Sequence, residues 1–176
     1  MSLKIVIIGV AGCGKSSLAK ALAVAEACTL IEGDDFHSPS SREKMAQGIA
    51  LTDADRASWL NLLANELEKK GQGVVLTCSA LKKAYRDRLR QRAPGLQFAF
   101  LDISREEAQR RVIARSATHF FNAGLVDNQF ETLESPVGEP GVIRLDATSS
   151  PSVLQAQVAQ WLRESAVPPL TEWRTS

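Results

Sequence analysis

One eight-residue segment near the start of the chain constrains its fold more than any other feature. Residues 9–16 read GVAGCGKS and match the phosphate-loop pattern G-x-x-x-x-G-K-[ST] at every fixed position. The segment follows the apolar run Lys4–Ile8 and leads into residues 16–23, whose residue types favour helix. This context predicts a strand, a phosphate-binding loop and a helix, in that order.

The residue types of this loop suit the binding of a nucleotide's phosphate chain. Glycines let consecutive backbone N–H groups face an anion, and the start of a helix adds positive partial charge. We expect Lys15 to reach the transferring phosphate and the Ser16 hydroxyl to ligate Mg²⁺. The predicted nucleotide-binding residues of the loop are Gly9, Val10, Ala11, Gly12, Cys13, Gly14, Lys15, Ser16 and Ser17.

Apolar runs that alternate with helix-like segments predict a parallel sheet. The run Lys4–Ile8 lacks a period of two, so both of its faces are expected to be buried. The pattern indicates an α/β fold of three layers (αβα), in which helices flank a five-stranded parallel sheet. The other strands are predicted at residues 28–31, 74–78, 96–101 and 142–145, and helices are predicted to start near Thr52, Ser104 and Ser150.

Length and composition limit the chain to one ordinary globular domain. It has 176 residues, of which 44% are hydrophobic, and a net charge of +1, so we expect a single domain over residues 1–176. Residues 116–139 lack a strand pattern and are predicted to form a lid, and residues 165–176 a tail. Three widely spaced cysteines and the lack of a long apolar span favour a cytoplasmic protein without a membrane segment.

A phosphate loop indicates nucleotide binding and leaves the reaction open. A switch GTPase would carry N-K-x-D and D-x-x-G. None of the four asparagines precedes a lysine, and none of the eight aspartates has a glycine three residues later. A small-molecule or nucleotide kinase and an ATPase module therefore remain.

Two adjacent carboxylates follow the second predicted strand. Ligands of open α/β sheets bind beyond the carboxyl ends of the strands, which places Asp34 and Asp35 beside the phosphate loop. A carboxylate there could orient an acceptor hydroxyl, take its proton, or hold Mg²⁺ through water. The alternative is that the aspartates simply terminate the strand.

Three blocks of the sequence carry a specific pattern: residues 32–37 (EGDDFH), 44–56 (KMAQGIALTDADR) and 78–87 (CSALKKAYRD). They resemble the signatures of the gluconokinase family, whose members are small kinases that make 6-phosphogluconate. Residues 119–120 (HF) and 129–134 (QFETLE) resemble its lid pattern. The blocks occur in the family's order between residue 5 and about residue 136.

This resemblance implies a P-loop kinase fold of the adenylate- and shikimate-kinase type with a mobile lid. It implies ATP- and Mg²⁺-dependent phosphorylation of D-gluconate at its 6-hydroxyl, and a homodimer. A kinase for another hydroxy acid, such as shikimate, and a non-catalytic ATP-binding sensor are the alternatives.

The resemblance also implies roles for individual residues. Asp34 is expected at the acceptor hydroxyl and, with Ser16, at the metal. Arg111 and Arg115 lie four residues apart on one predicted helix and are expected to clamp the nucleotide, with Arg115 and Lys15 acting on the transferring phosphoryl group. The substrate is expected to contact Asp34, His37, Arg56, Lys82, Arg86, His119 and Gln129.

Some of these residues have alternative interpretations from the sequence alone. Arg86 could belong to a solvated helix face, His37 could cap a turn, and the two arginines could be exposed. Residues 82–92 form a dense basic stretch, but only Tyr85 interleaves it and the net charge is nearly zero. We therefore expect no nucleic-acid partner.

Overall fold

Five parallel strands form the centre of the computed structural model, which describes residues 3–71, 73–115 and 124–166. The strand order is β2-β3-β1-β4-β5, and every neighbouring pair is parallel. This confirms the predicted sheet and its number of strands. The strands are β1 (Lys4–Ile8), β2 (Thr29–Glu32), β3 (Val74–Thr77), β4 (Gln97–Asp102) and β5 (Val142–Asp146).

Helices connect the strands and cover both faces of the sheet. They are α1 (Lys15–Ala25), α2 (Pro39–Ala46), α3 (Asp53–Lys69), α4 (Lys83–Arg92), α5 (Arg105–Arg115), α6 (Leu125–Thr132) and α7 (Pro151–Ala166). A 3₁₀ turn, Gly33–Phe36, follows β2. The sequence predicts neither α2 nor α6. Each has only eight residues and buries only two side chains, so the helical period in the sequence is short.

The two faces of the central strand pack into separate cores. Ile5 and Ile7 of β1 lie with side chains of α1 and α7, whereas Val6 and Ile8 lie with side chains of α3 and α4. Successive strand residues point to opposite faces, and all four are at most 1% exposed. The prediction that both faces of this strand are buried is confirmed.

Side-chain caps set the starts of three helices. The Thr52 hydroxyl accepts a hydrogen bond from Asp55 N (3.1 Å), and the Asp55 carboxylate accepts one from Thr52 N (2.9 Å), which completes a capping box. Ser104 Oγ accepts from Glu107 N, and Ser150 Oγ accepts from Val153 N. These are the starts that the sequence predicts for α3, α5 and α7.

The carboxyl ends of the first three strands meet at one edge of the sheet. The phosphate loop follows β1, the 3₁₀ turn follows β2, and residues 78–80 follow β3. Because β2, β3 and β1 are neighbours in the sheet, these segments lie side by side. Among the described residues, no helix is long and apolar enough to cross a membrane.

Candidate active site

The phosphate loop depends on glycine at its turning points. Gly12 has φ +82°, and a Cβ there would lie 2.9 Å from the carbonyl oxygen of Ala108 in α5. A Cβ on Gly9, which has φ +148°, would lie 2.7 Å from Cys13 Sγ. Side chains at either position would therefore clash or strain the backbone. Cys13, predicted among the nucleotide-binding residues, has a buried side chain.

Lys15 begins helix α1 and folds back along the loop. Its ammonium donates hydrogen bonds to the carbonyl oxygens of Gly9 (3.0 Å) and Val10 (3.1 Å). The positive charge therefore lies beside the loop's backbone, at the start of a helix whose N-terminus carries positive partial charge. This is the arrangement that binding of a polyphosphate requires.

A chain of oxygen groups connects the loop to the ends of β2 and β3. Ser16 Oγ donates to Glu32 Oε2 (3.0 Å), and Thr77 Oγ1 donates to the same oxygen (2.7 Å). Thr77 Oγ1 in turn accepts a hydrogen bond from Gly33 N (3.1 Å). The sequence analysis gave no role to Glu32 or Thr77. Their positions at adjacent strand ends were the signal that could have found them.

The 3₁₀ turn that carries Asp34 is packed tightly against β3 and α3. A Cβ on Gly33 would lie 2.1 Å from the carbonyl oxygen of Thr77. The Trp59 indole N–H donates to the carbonyl of Gly33 (2.7 Å). Arg42 of α2 donates to the carbonyls of Asp34 (3.1 Å) and His37 (3.4 Å). These contacts fix the backbone on both sides of the Asp34 side chain.

Asp34 and His37 face each other across this turn. The Asp34 side chain is 75% exposed, and its Oδ1 lies 3.6 Å from His37 Nε2. The His37 ring stacks on Trp59 with centroids 4.2 Å apart and 19° between planes. The His37 contact is the main cause that lowers the pKa of Asp34, and the charges of Lys15 and Arg42 add to it. Asp34 is therefore ionised at neutral pH.

A cavity of about 250 Å³ opens between the phosphate loop, the 3₁₀ turn and helices α3, α5 and α6. Arg56 reaches it from the first turn of α3 and is only 9% exposed. Within the described part of the chain, Arg56 has no carboxylate in ion-pair contact. Predicted residues on the cavity wall are Ala11, Gly12, Gly14, Lys15, Ser16, Ser17, Asp34, His37, Arg56, Arg115 and Gln129.

The cavity wall also contains residues to which the sequence analysis gave no site role. Met45, Leu51, Ser79 and Asn128 line it. Trp59 is 5% exposed and also lines the cavity, so one side chain belongs to both the core and the cavity wall.

Gln129 joins helix α6 to the phosphate loop. Its side-chain Oε1 accepts a hydrogen bond from the backbone N–H of Ala11 (2.7 Å). The sequence resemblance placed Gln129 beside the substrate. In the structure it lies at the cavity and bonds to the loop. His119, the other residue predicted in this segment, lies outside the described residues.

Lys82 and Arg86 do not line the cavity, and the substrate contacts predicted for them stay predictions. Lys82 Nζ pairs with the Asp53 carboxylate at 3.2 Å. Arg86 is 1% exposed and pairs with Glu139 at 2.7 Å. The Arg86 guanidinium also donates to the carbonyl oxygens of Ala80, Leu81 and Glu134. Its hydrogen-bonding groups are thus engaged inside the protein.

Arg111 and Arg115 of α5, the predicted nucleotide clamp, have different surroundings. Arg115 lines the cavity. Arg111 does not; it donates to the Glu107 carboxylate (2.9 Å) and to the carbonyls of Gly12 (3.4 Å) and Ala147 (3.1 Å). Arg111 therefore connects the phosphate loop to the end of β5.

Most basic residues of α4 are paired with nearby acids, and Arg88 instead donates to Asn61. Lys83 and Arg90 both contact Asp87, and Arg90 also contacts Glu139. Arg92 pairs with Glu68 of α3 at 2.6 Å. These contacts tie α4 to neighbouring elements of the fold and partly neutralise its charge.

Comparison with known proteins identifies the family. A family model described as an AAA domain matches residues 5–140. A gluconokinase of Gluconobacter oxydans (strain 621H) is 42% identical over 153 residues, which cover 85% of each chain. The chain belongs to the gluconokinase family.

Other gluconokinases match over nearly the whole chain. The gluconokinase of Arabidopsis thaliana is 35% identical over 179 residues and covers 93% of this chain and 94% of its own. A crystal structure of a gluconokinase from Sinorhizobium meliloti 1021 has a TM-score of 0.81 and 39% identity, and covers 94% of this chain and 98% of that one. The predicted family and P-loop kinase fold are confirmed, and this gluconokinase-family chain is a nucleotide-binding kinase.

Proposed function

We propose that this chain transfers the γ-phosphoryl group of ATP to the 6-hydroxyl of D-gluconate, yielding 6-phospho-D-gluconate and ADP. The observation that carries this proposal is that a carboxylate and a guanidinium, which do not pair with each other, line the same cavity. Asp34 offers an ionised carboxylate, and Arg56 offers a guanidinium without a carboxylate partner among the described residues. Gluconate has the complementary groups, a hydroxyl at one end and a carboxylate at the other.

The guanidinium of Arg56 suits the acid end of the substrate. A planar guanidinium binds a carboxylate through two parallel hydrogen bonds. Because Arg56 is 9% exposed, such a pair would be partly shielded from water, which strengthens the attraction. Lys82 is a weaker candidate for this role, since Asp53 already pairs with it.

Asp34 suits the hydroxyl end. Its carboxylate stays ionised at neutral pH, so it is able to accept the proton that the acceptor hydroxyl loses as it attacks phosphorus. His37 contacts the Asp34 carboxylate, and the Arg42 guanidinium donates to the backbone carbonyl of Asp34. His37 thus acts on the reaction through the orientation of Asp34.

The phosphate loop and Arg115 would bind the nucleotide directly. The loop's backbone N–H groups and Lys15 would bind the phosphates, and Arg115 faces the same cavity from α5. Arg111 would act indirectly, because it bonds the carbonyl of Gly12 in the loop. Gln129 would help to hold the loop through the hydrogen bond that it accepts from Ala11 N.

The residues beside Lys15 also fit Mg²⁺. Magnesium prefers oxygen ligands and usually takes only one or two from the protein. The Ser16 hydroxyl and the Asp34 carboxylate both face the cavity, and Ser16 is oriented by Glu32. When bound, Mg²⁺ neutralises charge on the phosphates.

A screen of acceptors tests the proposal. Purified protein is given ATP, Mg²⁺ and one acceptor at a time, and ADP release is followed by a coupled assay. We expect rapid ADP release with gluconate and a phosphorylated product of the mass of 6-phosphogluconate. If gluconate releases no more ADP than buffer, the assignment fails. Faster release with shikimate would favour the related hydroxy-acid kinase, and nucleotide binding without any turnover would favour a sensor.

A homodimer and a cytoplasmic location stay predictions from the sequence. The absence of a nucleic-acid partner also stays a prediction, supported by the ion pairs of α4.

A further inference from the structure

The guanidinium of Arg56, which lines the cavity, contacts the aromatic ring of Tyr85. The Arg56 guanidinium lies 5.6 Å from the centroid of the Tyr85 ring, within the range of a cation–π interaction. Tyr85 belongs to α4 and is 9% exposed, so its ring is fixed by packing in the core beneath the cavity. The face of a ring attracts a cation without neutralising it. Arg56 therefore keeps its full charge for a ligand.

Asp53 lies on the same helix as Arg56 and would compete with a substrate carboxylate for its guanidinium. Asp53 and Arg56 stand three residues apart in the first turn of α3, a spacing at which an acid and an arginine ordinarily pair. In this structure Asp53 pairs elsewhere. It accepts a hydrogen bond from the Tyr85 hydroxyl and two from Lys82, at 3.2 and 3.5 Å.

Lys82 completes this arrangement. Its ammonium lies 5.7 Å from the centroid of the same Tyr85 ring. The bonds from Tyr85 and Lys82 lower the pKa of Asp53, so this carboxylate is ionised at neutral pH and would be a strong competitor if released. Lys82 thus keeps the Asp53 carboxylate bonded and away from the Arg56 guanidinium.

We infer that Tyr85 is a positioning residue that determines the preference for anionic acceptors. Its ring holds Arg56 at the cavity, and its hydroxyl helps Lys82 to keep Asp53 from pairing with Arg56. The inference rests on the proposed function, in which Arg56 binds the carboxylate of gluconate. It assigns acceptor selectivity to a side chain that does not line the cavity.

Two substitutions of Tyr85 separate the ring from the hydroxyl. Tyr85→Leu removes both, and we expect the KM for gluconate to rise about tenfold, as follows from the loss of a desolvated cation–π contact. Tyr85→Phe keeps the ring, and Lys82 still holds Asp53, so the KM is expected to change by no more than about threefold. In both variants kcat and the KM for ATP should stay within about twofold of the parent.

A double-mutant cycle with Arg56→Met tests whether Tyr85 acts through Arg56. Once Arg56 is replaced, Tyr85→Leu should change kcat/KM for gluconate by less than about twofold. A loss as large as in the parent background would mean that Tyr85 acts independently of Arg56, and would overturn the inference. Equal losses in Tyr85→Phe and Tyr85→Leu would overturn the role of the ring.

Control measurements keep the outcomes distinct. Thermal unfolding checks that each variant is folded, and Tyr85→Met replaces Tyr85→Leu, with the same expectations, if the latter is not. A parent protein that shows no gluconate-dependent ADP release refutes the proposed function itself. A parent that phosphorylates gluconate, with an unchanged KM in the folded aliphatic variant, refutes only the role of Tyr85.

Discussion

Replacing Arg86 by Met distinguishes a structural role from a substrate contact. The sequence resemblance predicts that Arg86 touches gluconate, whereas the structure buries it to 1% exposure and pairs it with Glu139. Met approximates the length of the arginine stem but removes the charge and every hydrogen bond. The two interpretations therefore predict opposite results for stability and for substrate binding.

The size of the stability loss follows from the bonds that disappear. Arg86 donates to the carbonyls of Ala80, Leu81 and Glu134. The Leu81 carbonyl keeps its bond from Glu134 N, and each of the others left unpaired costs about 1 kcal/mol or more. Breaking a buried ion pair costs about 3–5 kcal/mol. Because Arg90 still contacts Glu139 at 2.9 Å, we expect the lower end, about 3 kcal/mol. For a domain of this size, that lowers Tm by about 6–12 °C.

The assay is urea and thermal unfolding, with Arg88→Met as the matched control. Arg88 lies on the same helix and makes an exposed hydrogen bond to Asn61, so its loss should cost no more than about 0.5 kcal/mol. Below the Tm of the variant, Arg86→Met should keep the KM for gluconate within about threefold. A variant as stable as the control, with a KM raised more than about tenfold, would refute the structural reasoning.

Two further predictions concern the framework around the site. Gly33→Ala should destabilise the protein by about 2 kcal/mol or more and slow gluconate phosphorylation, because its Cβ would lie 2.1 Å from the carbonyl of Thr77. The control is Gly71→Ala, where nothing lies within 4 Å of the added Cβ. In the same urea-unfolding and rate measurements, this control should show neither effect. The bond from Lys44 and, after it, the Thr52 cap lower the pKa of Asp55 from 3.8 to about 2. This carboxylate therefore stabilises the fold above its ordinary pKa and loses that effect as the pH falls towards 2. The stability deficit of Asp55→Asn, measured by urea unfolding, should therefore be largest near neutral pH and shrink at acid pH; a deficit independent of pH would contradict this.

The parts of the fold that the sequence predicts are those that local pattern determines. The phosphate loop needs glycines at fixed spacing between a strand and a helix, and β1 is apolar at nearly every position because helices cover both faces of the sheet. The start of α3 is equally local, since Thr52 and Asp55 cap each other across one turn. Each of these features is specified within a few neighbouring residues.

The parts that the sequence does not predict depend on partners far along the chain. Arg86 is buried because Glu139, 53 residues away, supplies the opposite charge. Glu32 joins Ser16 to Thr77, which lies 45 residues away on the adjacent strand. The cation–π contact of Arg56 likewise requires the packing of α4 beside α3. A basic residue in a helix gives no local sign of whether it faces solvent, a cavity or a buried acid.

The most direct test of the proposed site is the rate of gluconate phosphorylation by Asp34→Asn. Asn keeps the size of the side chain and removes the proton acceptor, so kcat should fall by a factor of about 10²–10⁴. Binding of ATP measured without Mg²⁺ should stay within about threefold of the parent, because the phosphate loop is unchanged. A variant that phosphorylates gluconate at the parental rate would contradict the account, since Asp34 would then not be the base that activates the acceptor hydroxyl.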